Sequence, residues 1–264
     1  MGRRYSKGLG WLKSFPQTGF SNVKQQYPQP ASALVIAAHP DDAEFQCGAT
    51  LAKWAEGGTV VHYLVCTDGS KGTWDAGINQ SDLVNIRIKE QTRAARKLGA
   101  TGEILFLGET DGELDSTLIN REKVAKVIRE LKPEVVLGHD PWKRYRLHPD
   151  HRHAGLLAVE GIVAARDPFF FPEQLLEPHR PSALFLFEAE EPNHAEEVGH
   201  WAQSKSDALL EHQSQFVTTH GISDPLDPAQ IEDFNSRIHQ ELERNGTNSG
   251  LAHAELFRLS LIHI

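Results

Sequence analysis

The chain has 264 residues, 39% of them hydrophobic and 24% charged, with a formal net charge of -9. That length supports one α/β domain with a sizeable core, and the acidic balance argues against a nucleic-acid binder, which needs a basic surface. No apolar run reaches the ~20 residues of a membrane span, no signal-type apolar segment opens the chain, and two cysteines, Cys47 and Cys66, are too few for a disulfide framework; cytoplasmic placement is the expectation.

Residues 1–30 are polar, hold Pro16, Pro28 and Pro30, and read as an irregular N-terminal arm before a single α/β domain over 31–264. The apolar run 33–38 predicts a buried strand. His39-Pro40-Asp41-Asp42 must then turn, because proline disfavours helix at the residue before it. Phe45, Ala49, Ala52 and Ala55 recur at helical spacing, and Gly57-Gly58 stop that helix. A strand over 60–67, a turn at 67–70 and a long loop over 72–81 follow; loops of that length are often functional. Next come a helix (82–98), a strand (103–107), a helix (122–131) and a strand (134–138). The second half reads as a helix (154–165), a loop (169–181), a strand (183–187) and helices at 204–213 and 231–244. Strand and helix in alternation imply a Rossmann-like, mostly parallel sheet flanked by helices.

Ligands in such sheets bind at the carboxyl ends of the strands. Those ends carry His39-Pro40-Asp41-Asp42, Thr67-Asp68-Gly69, Glu109 to Asp111, and His139-Asp140, with His148-Pro149-Asp150-His151-Arg152-His153 just beyond the last. Catalytic zinc takes imidazole nitrogen and carboxylate oxygen and keeps one position open. His39 and Asp42, three apart across a turn, can reach one centre, and a distant His151 would complete the set. The neighbouring carboxylates of Asp41 and Asp42 point differently, so one can bind metal while the other faces water. The plainer alternatives are an Asp helix cap and surface histidines among the 14 in the chain. Trp74 to Asn79 and the aromatics Trp142 and Tyr145 are candidates for sugar contact or for structural packing. The run Phe169-Phe170-Phe171 reads first as core, with a lid or acyl groove as the alternative.

The strings AHPDDAEFQCGATLA at 38–52 and HPDHRH at 148–153 resemble, in order, the two motifs of the PIG-L/LmbE deacetylase family. Further similarity lies in RIKEQTRAARKLGA with Arg87 and Glu90, TDGEL at 110–114, KSDALLEHQSQ at 205–215 and AHAELFR at 252–258, so it spans most of the chain from residue 33. The resemblance implies an LmbE-like fold and a metal-dependent hydrolase that removes acetyl from an N-acetylglucosamine-type sugar amine. It implies His39, Asp42 and His151 as zinc ligands, Asp41 as general base and His148 as stabiliser of the charged intermediate. Arg87 and Asp111 are implied at the substrate. Zn2+ is the expected metal, and Fe2+ can occupy the same ligands in cells. The family usually places an acid directly after the second aspartate. Here Ala43 intervenes, and Glu44 is expected to support a ligand histidine from outside. The expected partner is a small N-acetylated sugar conjugate, without nucleic acid or membrane span, and a homo-oligomer is left open. Two competing readings are a non-catalytic, metal-stabilised sugar-binding protein and a non-haem iron enzyme. The iron triad usually sits two residues apart on a jelly-roll strand, unlike the spacing here.

Overall fold

The computed structural model describes residues 23–261. Its first half alternates as expected: β2 (Ser32–Ala37), α1 (Asp42–Glu56), β3 (Val60–Thr67), α2 (Gln80–Lys97), β4 (Ile104–Glu109), α3 (Leu118–Leu131) and β5 (Val135–His139). The second half holds α4 (Pro149–Ala165), β6 (Ala183–Phe187), β7 (His194–Glu197), α5 (Ala202–Leu209), α6 (Pro228–Ser249) and β8 (Ala254–Leu261). The part of the expected arm that is described is not wholly irregular. Lys24–Gln25 form a short β1 paired with β7, and Tyr27 packs edge-on against Phe185 with ring centroids 5.1 Å apart. Residues 1–22 lie outside the described residues.

Among the described residues one eight-stranded sheet runs in the order β1-β7-β8-β6-β5-β2-β3-β4. All pairs are parallel except those made by β8, which runs antiparallel to β6 and β7. Side chains alternate across a strand, so β2 feeds two cores. Ala33, Val35 and Ala37 meet Leu51 and Trp54 of α1, Ala95 of α2 and Ala208 of α5 on one face. Leu34 and Ile36 meet Val124 and Ile128 of α3 and Leu157 of α4 on the other. Burial on both faces explains the unbroken apolar runs.

Two strands, β7 and β8, were not expected. β7 reads His-Ala-Glu-Glu, and its polar side chains are buried by pairing rather than by apolar character. Glu196 is wholly buried, with Lys53 Nζ at 2.7 Å and His194 Nε2 at 2.7 Å. β8 supplies Glu255, whose carboxylate accepts the N–H groups of Ala49 (3.1 Å) and Thr50 (2.7 Å) where α1 kinks at Cys47. Lys205 pairs with that carboxylate at 2.6 Å. The kink has a cause of the usual kind, a side chain inserted into the helical ladder.

The Phe169–Phe171 segment follows α4 at the end away from the second motif, about 25 Å from that helix's start at 1.5 Å per residue. It is therefore not a lid over the strand ends. Phe169 is 89% exposed, and Phe171 packs on the core. The segment is held by Arg129, only 2% exposed, whose guanidinium donates to the carbonyls of Ala165 (3.1 Å), Ala164 (3.0 Å), Asp167 (2.8 Å) and Phe170 (2.8 Å). Arg129→Met should lower unfolding free energy by about 2–4 kcal/mol, because it leaves several buried carbonyls without their charged donor. Urea denaturation reads this loss, and metal content should stay unchanged because the site lies at the other end of α4.

Candidate metal and catalytic site

The strand order reverses beside β2, between its neighbours β5 and β3, and open α/β sheets bind ligands at such a crevice. His39 follows β2 and His139 ends β5. The first turn of α4 closes over both. Gly155 permits this approach, since a Cβ there would fall 2.5 Å from the His139 carbonyl and 3.0 Å from Pro141 N. The second motif therefore occupies a helix start rather than a loop, with His148 at the N-cap position and Asp150 and His151 in the first turn.

Asp42 is the meeting point. Its Oδ2 accepts the His39 backbone N–H at 2.7 Å and lies 3.3 Å from His39 Nδ1 and 3.4 Å from His139 Nε2. Its Oδ1 lies 3.3 Å from His151 Nε2, and His39 Nδ1 lies 3.2 Å from that same nitrogen. Tetrahedral zinc with bonds of ~2.0–2.1 Å spaces its donors about 3.3 Å apart. His39, His151 and the Asp42 carboxylate, which turns a different oxygen to each ring, thus bring donors of the right chemistry to about that spacing. His39, His148 and His151, and likewise Asp42, His139 and His151, also form groups with metal-holding geometry.

The remaining ring nitrogens of His39 and His139 face carboxylates, and that of His151 faces both Arg146 and Glu188. His39 Nε2 is 3.1 Å from Asp150 Oδ2 and 3.3 Å from Asp111 Oδ1. Asp150 is itself fixed by the N–H groups of Gly112 (2.7 Å) and Leu114 (3.2 Å). With a metal bound, these carboxylates would keep the His39 proton on Nε2 and leave Nδ1, which faces Asp42 and His151, for the ion, the arrangement that orients metal-binding histidines. Glu188 Oε2 lies 3.0 Å from His139 Nδ1 and 3.6 Å from His151 Nδ1, while Arg146 donates its Nε–H to His151 Nδ1 at 2.9 Å.

Charge follows from this geometry. Burial opposes a charged His39, but Asp111, Asp150 and Asp42 outweigh it and raise its pKa well above the ordinary value. Burial likewise opposes an ionised Asp42, yet His151 and His139 hold its carboxyl well below the usual range. Asp41 behaves oppositely: burial lifts its pKa to about 6, against the pull of Arg87. Burial and the neighbouring His39 lower the pKa of His148.

Asp41 sits beside the cluster at φ 108°, in the left-handed region, and its side chain makes no cap to α1. The helix-cap alternative for Asp41 is thereby removed. Arg87, 3% exposed, donates to the carbonyls of Pro40 (2.6 Å) and Gly69 (3.0 Å) and lies 3.5 Å from Asp41 Oδ2. Gly72 lacks a side chain where a Cβ would stand 2.1 Å from Arg87 Nη1. Asp111 accepts the Lys71 N–H at 3.1 Å. His39, Asp41, Asp42, Arg87, Asp111, His148 and His151 all line one cavity of about 480 Å³. His153 stands apart, its Nδ1 3.3 Å from Ser116 Oγ. Trp74, Trp142 and Tyr145 are exposed rather than packed inside.

Sequence reasoning passed over Glu188 and Gln91 and gave Asp150 no role. Glu188 follows β6 in a left-handed conformation (φ 58°), and the strand-end rule applied once more would have marked it. Glu44 differs from expectation. Its carboxylate turns away from the ligand histidines, towards Gln91 Nε2 (2.8 Å) and His212 Nε2 (3.4 Å).

A family model described as GlcNAc-PI de-N-acetylase, PIG-L, matches residues 34–162. The diacetylchitobiose deacetylase of Thermococcus kodakarensis is 36% identical over 197 residues, covering 74% of this chain and 73% of that protein. The 1D-myo-inositol 2-acetamido-2-deoxy-alpha-D-glucopyranoside deacetylase of Streptomyces scabiei is 31% identical over 53% of this chain and spans 50% of its own length in the match. The N,N'-diacetylchitobiose deacetylase structure from Pyrococcus horikoshii superposes with a TM-score of 0.79 at 30% identity, over 88% of this chain and 84% of that one. GalB of Pseudomonas putida, a 4-carboxy-2-hydroxymuconate hydratase, superposes at 0.68 with 21% identity over 88% of this chain and 97% of that one. A hydratase shares the frame, so the reaction has to be argued from the site.

Replacing Glu188 by Ala should weaken metal binding ~10–100-fold by freeing the rings of His139 and His151. Chelator competition measures it, and an unchanged affinity would remove Glu188 from the site.

Proposed function

The chain belongs to the PIG-L family of de-N-acetylases, and on that basis we propose that it is a zinc-dependent hydrolase that removes acetyl from an N-acetylglucosamine-type sugar amine. The observation that carries this reading is the convergence of His39, Asp42 and His151 within 3.3 Å of one another beside the buried carboxylate of Asp41. His39, Asp42 and His151 would hold the metal. When bound, the ion would polarise the acetyl carbonyl and acidify water.

The chain's own groups do the rest. Asp41, its carboxyl raised to about 6 by burial, takes a proton from the attacking water and returns it to the departing nitrogen. Acetate and a free amine result. His148 stands on the cavity wall, its ring centroid 4.6 Å from that of His39. With its pKa lowered it acts as a neutral imidazole whose N–H donates to the acetyl oxygen, as a preorganised hydrogen-bond donor. Asp150 and Asp111 keep the His39 proton on Nε2. Arg87 and Asp111 wall the sugar-binding side, with Arg87 also holding the turn that carries Asp41. Phe45, Gln46 and Glu241 extend the same cavity, leaving room for the group attached to the sugar.

Among the described residues no helix is long and apolar enough to cross a membrane. A small N-acetylated sugar conjugate is the partner we assign, and cytoplasmic residence fits two buried, unpaired thiols. The iron-oxygenase reading loses its jelly-roll frame to the α/β sheet.

Amine release from N,N'-diacetylchitobiose and related N-acetylglucosaminides should vanish on chelation and return with zinc. Iron(II) reloading tests the other metal. Asp41→Asn should keep stoichiometric metal and lose ~10²–10⁴-fold in turnover. Near wild-type turnover in that variant removes Asp41 as base. His151→Ala should lose tight metal binding, and a variant that still binds one equivalent tightly refutes the ligand role.

A further inference from the structure

Asp41 occupies a conformation, φ 108° and ψ -25°, that costs a non-glycine residue about 1–3 kcal/mol. Its N–H also belongs to the start of α1, where no intrahelical acceptor exists. Something outside the turn must hold both. The Pro40–Asp41 peptide unit is gripped at its two ends by residues one helical turn apart on α2. Arg87 Nη2 donates to the Pro40 carbonyl at 2.6 Å, and Gln91 Oε1 accepts the Asp41 N–H at 2.9 Å. Rotating that peptide plane would break both bonds and is the motion that would release Asp41 from its left-handed geometry.

The Gln91 carboxamide is itself oriented. Gln91 and Glu44 are wholly buried, and Gln91 Nε2 donates to Glu44 Oε1 at 2.8 Å. A backbone N–H can only donate, so the oxygen of Gln91 must face Asp41 and its nitrogen must face Glu44. His212, also wholly buried, sets Nε2 3.4 Å from the second Glu44 oxygen. Asp41 and Glu44 stand at the two positions of a capping box, where the later acid ordinarily accepts the N–H of the cap residue directly. Here Gln91 is interposed. The Asp41 side chain caps nothing and remains turned to the cavity.

We propose that Gln91 is a positioning residue for the deacetylation, clamping with Arg87 the peptide that aims the Asp41 carboxylate, while Glu44 fixes the direction of its carboxamide. This rests on Asp41 being the base. Gln91 itself does not line the cavity, so its loss acts on turnover and not on binding.

The test compares Gln91→Leu, Gln91→Glu and the double variant Glu44→Gln/Gln91→Glu in the full-length, zinc-loaded protein. The double variant rebuilds the chain with carboxylate and carboxamide exchanged: residue 91 still accepts from Asp41, and residue 44 now donates. Gln91→Leu should lower kcat ~10- to 100-fold, the scale of a catalytic group moved by about 1 Å. KM and zinc affinity by chelator competition should stay within about twofold, since uniform binding is untouched. Hydrogen exchange of the Asp41 amide, followed by NMR, should accelerate at least ~10-fold as its buried acceptor disappears. Gln91→Glu alone sets two carboxylates together and should fail likewise, and it serves if the leucine variant does not fold. The double variant should recover amide protection and bring kcat to within about fivefold of wild type, as expected of a coupled pair. An unchanged kcat and amide in Gln91→Leu overturns the proposal, and so does a kcat loss that only tracks lost zinc, or a folded double variant without recovery. If the wild type releases no amine from any substrate, the deacetylase reading fails. The clamp then stands or falls on amide protection lost in the single variants and regained in the double one.

Discussion

One carboxylate ties the mouth of the sheet together. Asp42 reaches the imidazoles of His39, His139 and His151, which come from the ends of two different strands and from the first turn of α4, at 3.3 to 3.4 Å. A carboxylate so placed would be costly to bury alone. The three rings make it tolerable, and their outer nitrogens are in turn met by Asp150, Asp111 and Glu188. Carboxylate, imidazole and carboxylate thus alternate outward from Asp42 through His39 and His139, and the removal of one member leaves its neighbours uncompensated inside the protein.

That alternation separates the two adjacent acids. Asp42 is held ionised by histidines, whereas Asp41 is raised to about 6 by burial, against the pull of Arg87. Two carboxyl groups whose environments push them apart are suited to different tasks, one to hold a cation and the other to carry a proton. The backbone contributes as much as the charges. With Asp41 in the left-handed region, successive side chains leave the turn in different directions, and the strain is met by bonds from α2 rather than by a glycine that would have no carboxylate.

The site also depends on packing just outside the cavity. α4 approaches β5 closely enough that Gly155 has no room for a side chain, and this approach brings His148, Asp150 and His151 over the strand ends. At the other end of the helix Arg129 gathers the carbonyls of the segment that follows. The approach at Gly155 therefore sets where the start of the helix lies and so where its histidines point, while Arg129 secures only the far end.

Much of the architecture was legible in advance. The apolar runs of β2, β3, β5 and β6 declared themselves because strands buried on both faces read as unbroken hydrophobic stretches. β7 did not, since Glu196 and His194 are buried by pairing with each other and with Lys53, and polarity in sequence carries no sign of a partner far along the chain. The motifs at 38–52 and 148–153 named the donor types, and a turn of fixed composition, with proline before two acids, could be read locally. Which nitrogen each histidine offers, which of two neighbouring aspartates holds its proton to higher pH, and where Glu44 points were not legible. These depend on Asp150, Glu188, Gln91 and His212, up to 168 positions removed from Glu44 along the chain. Residue types and their local spacing come from short-range chemistry that the sequence states outright. Protonation, orientation and strain arise from contacts across the fold, and only the folded chain brings those groups within bonding distance.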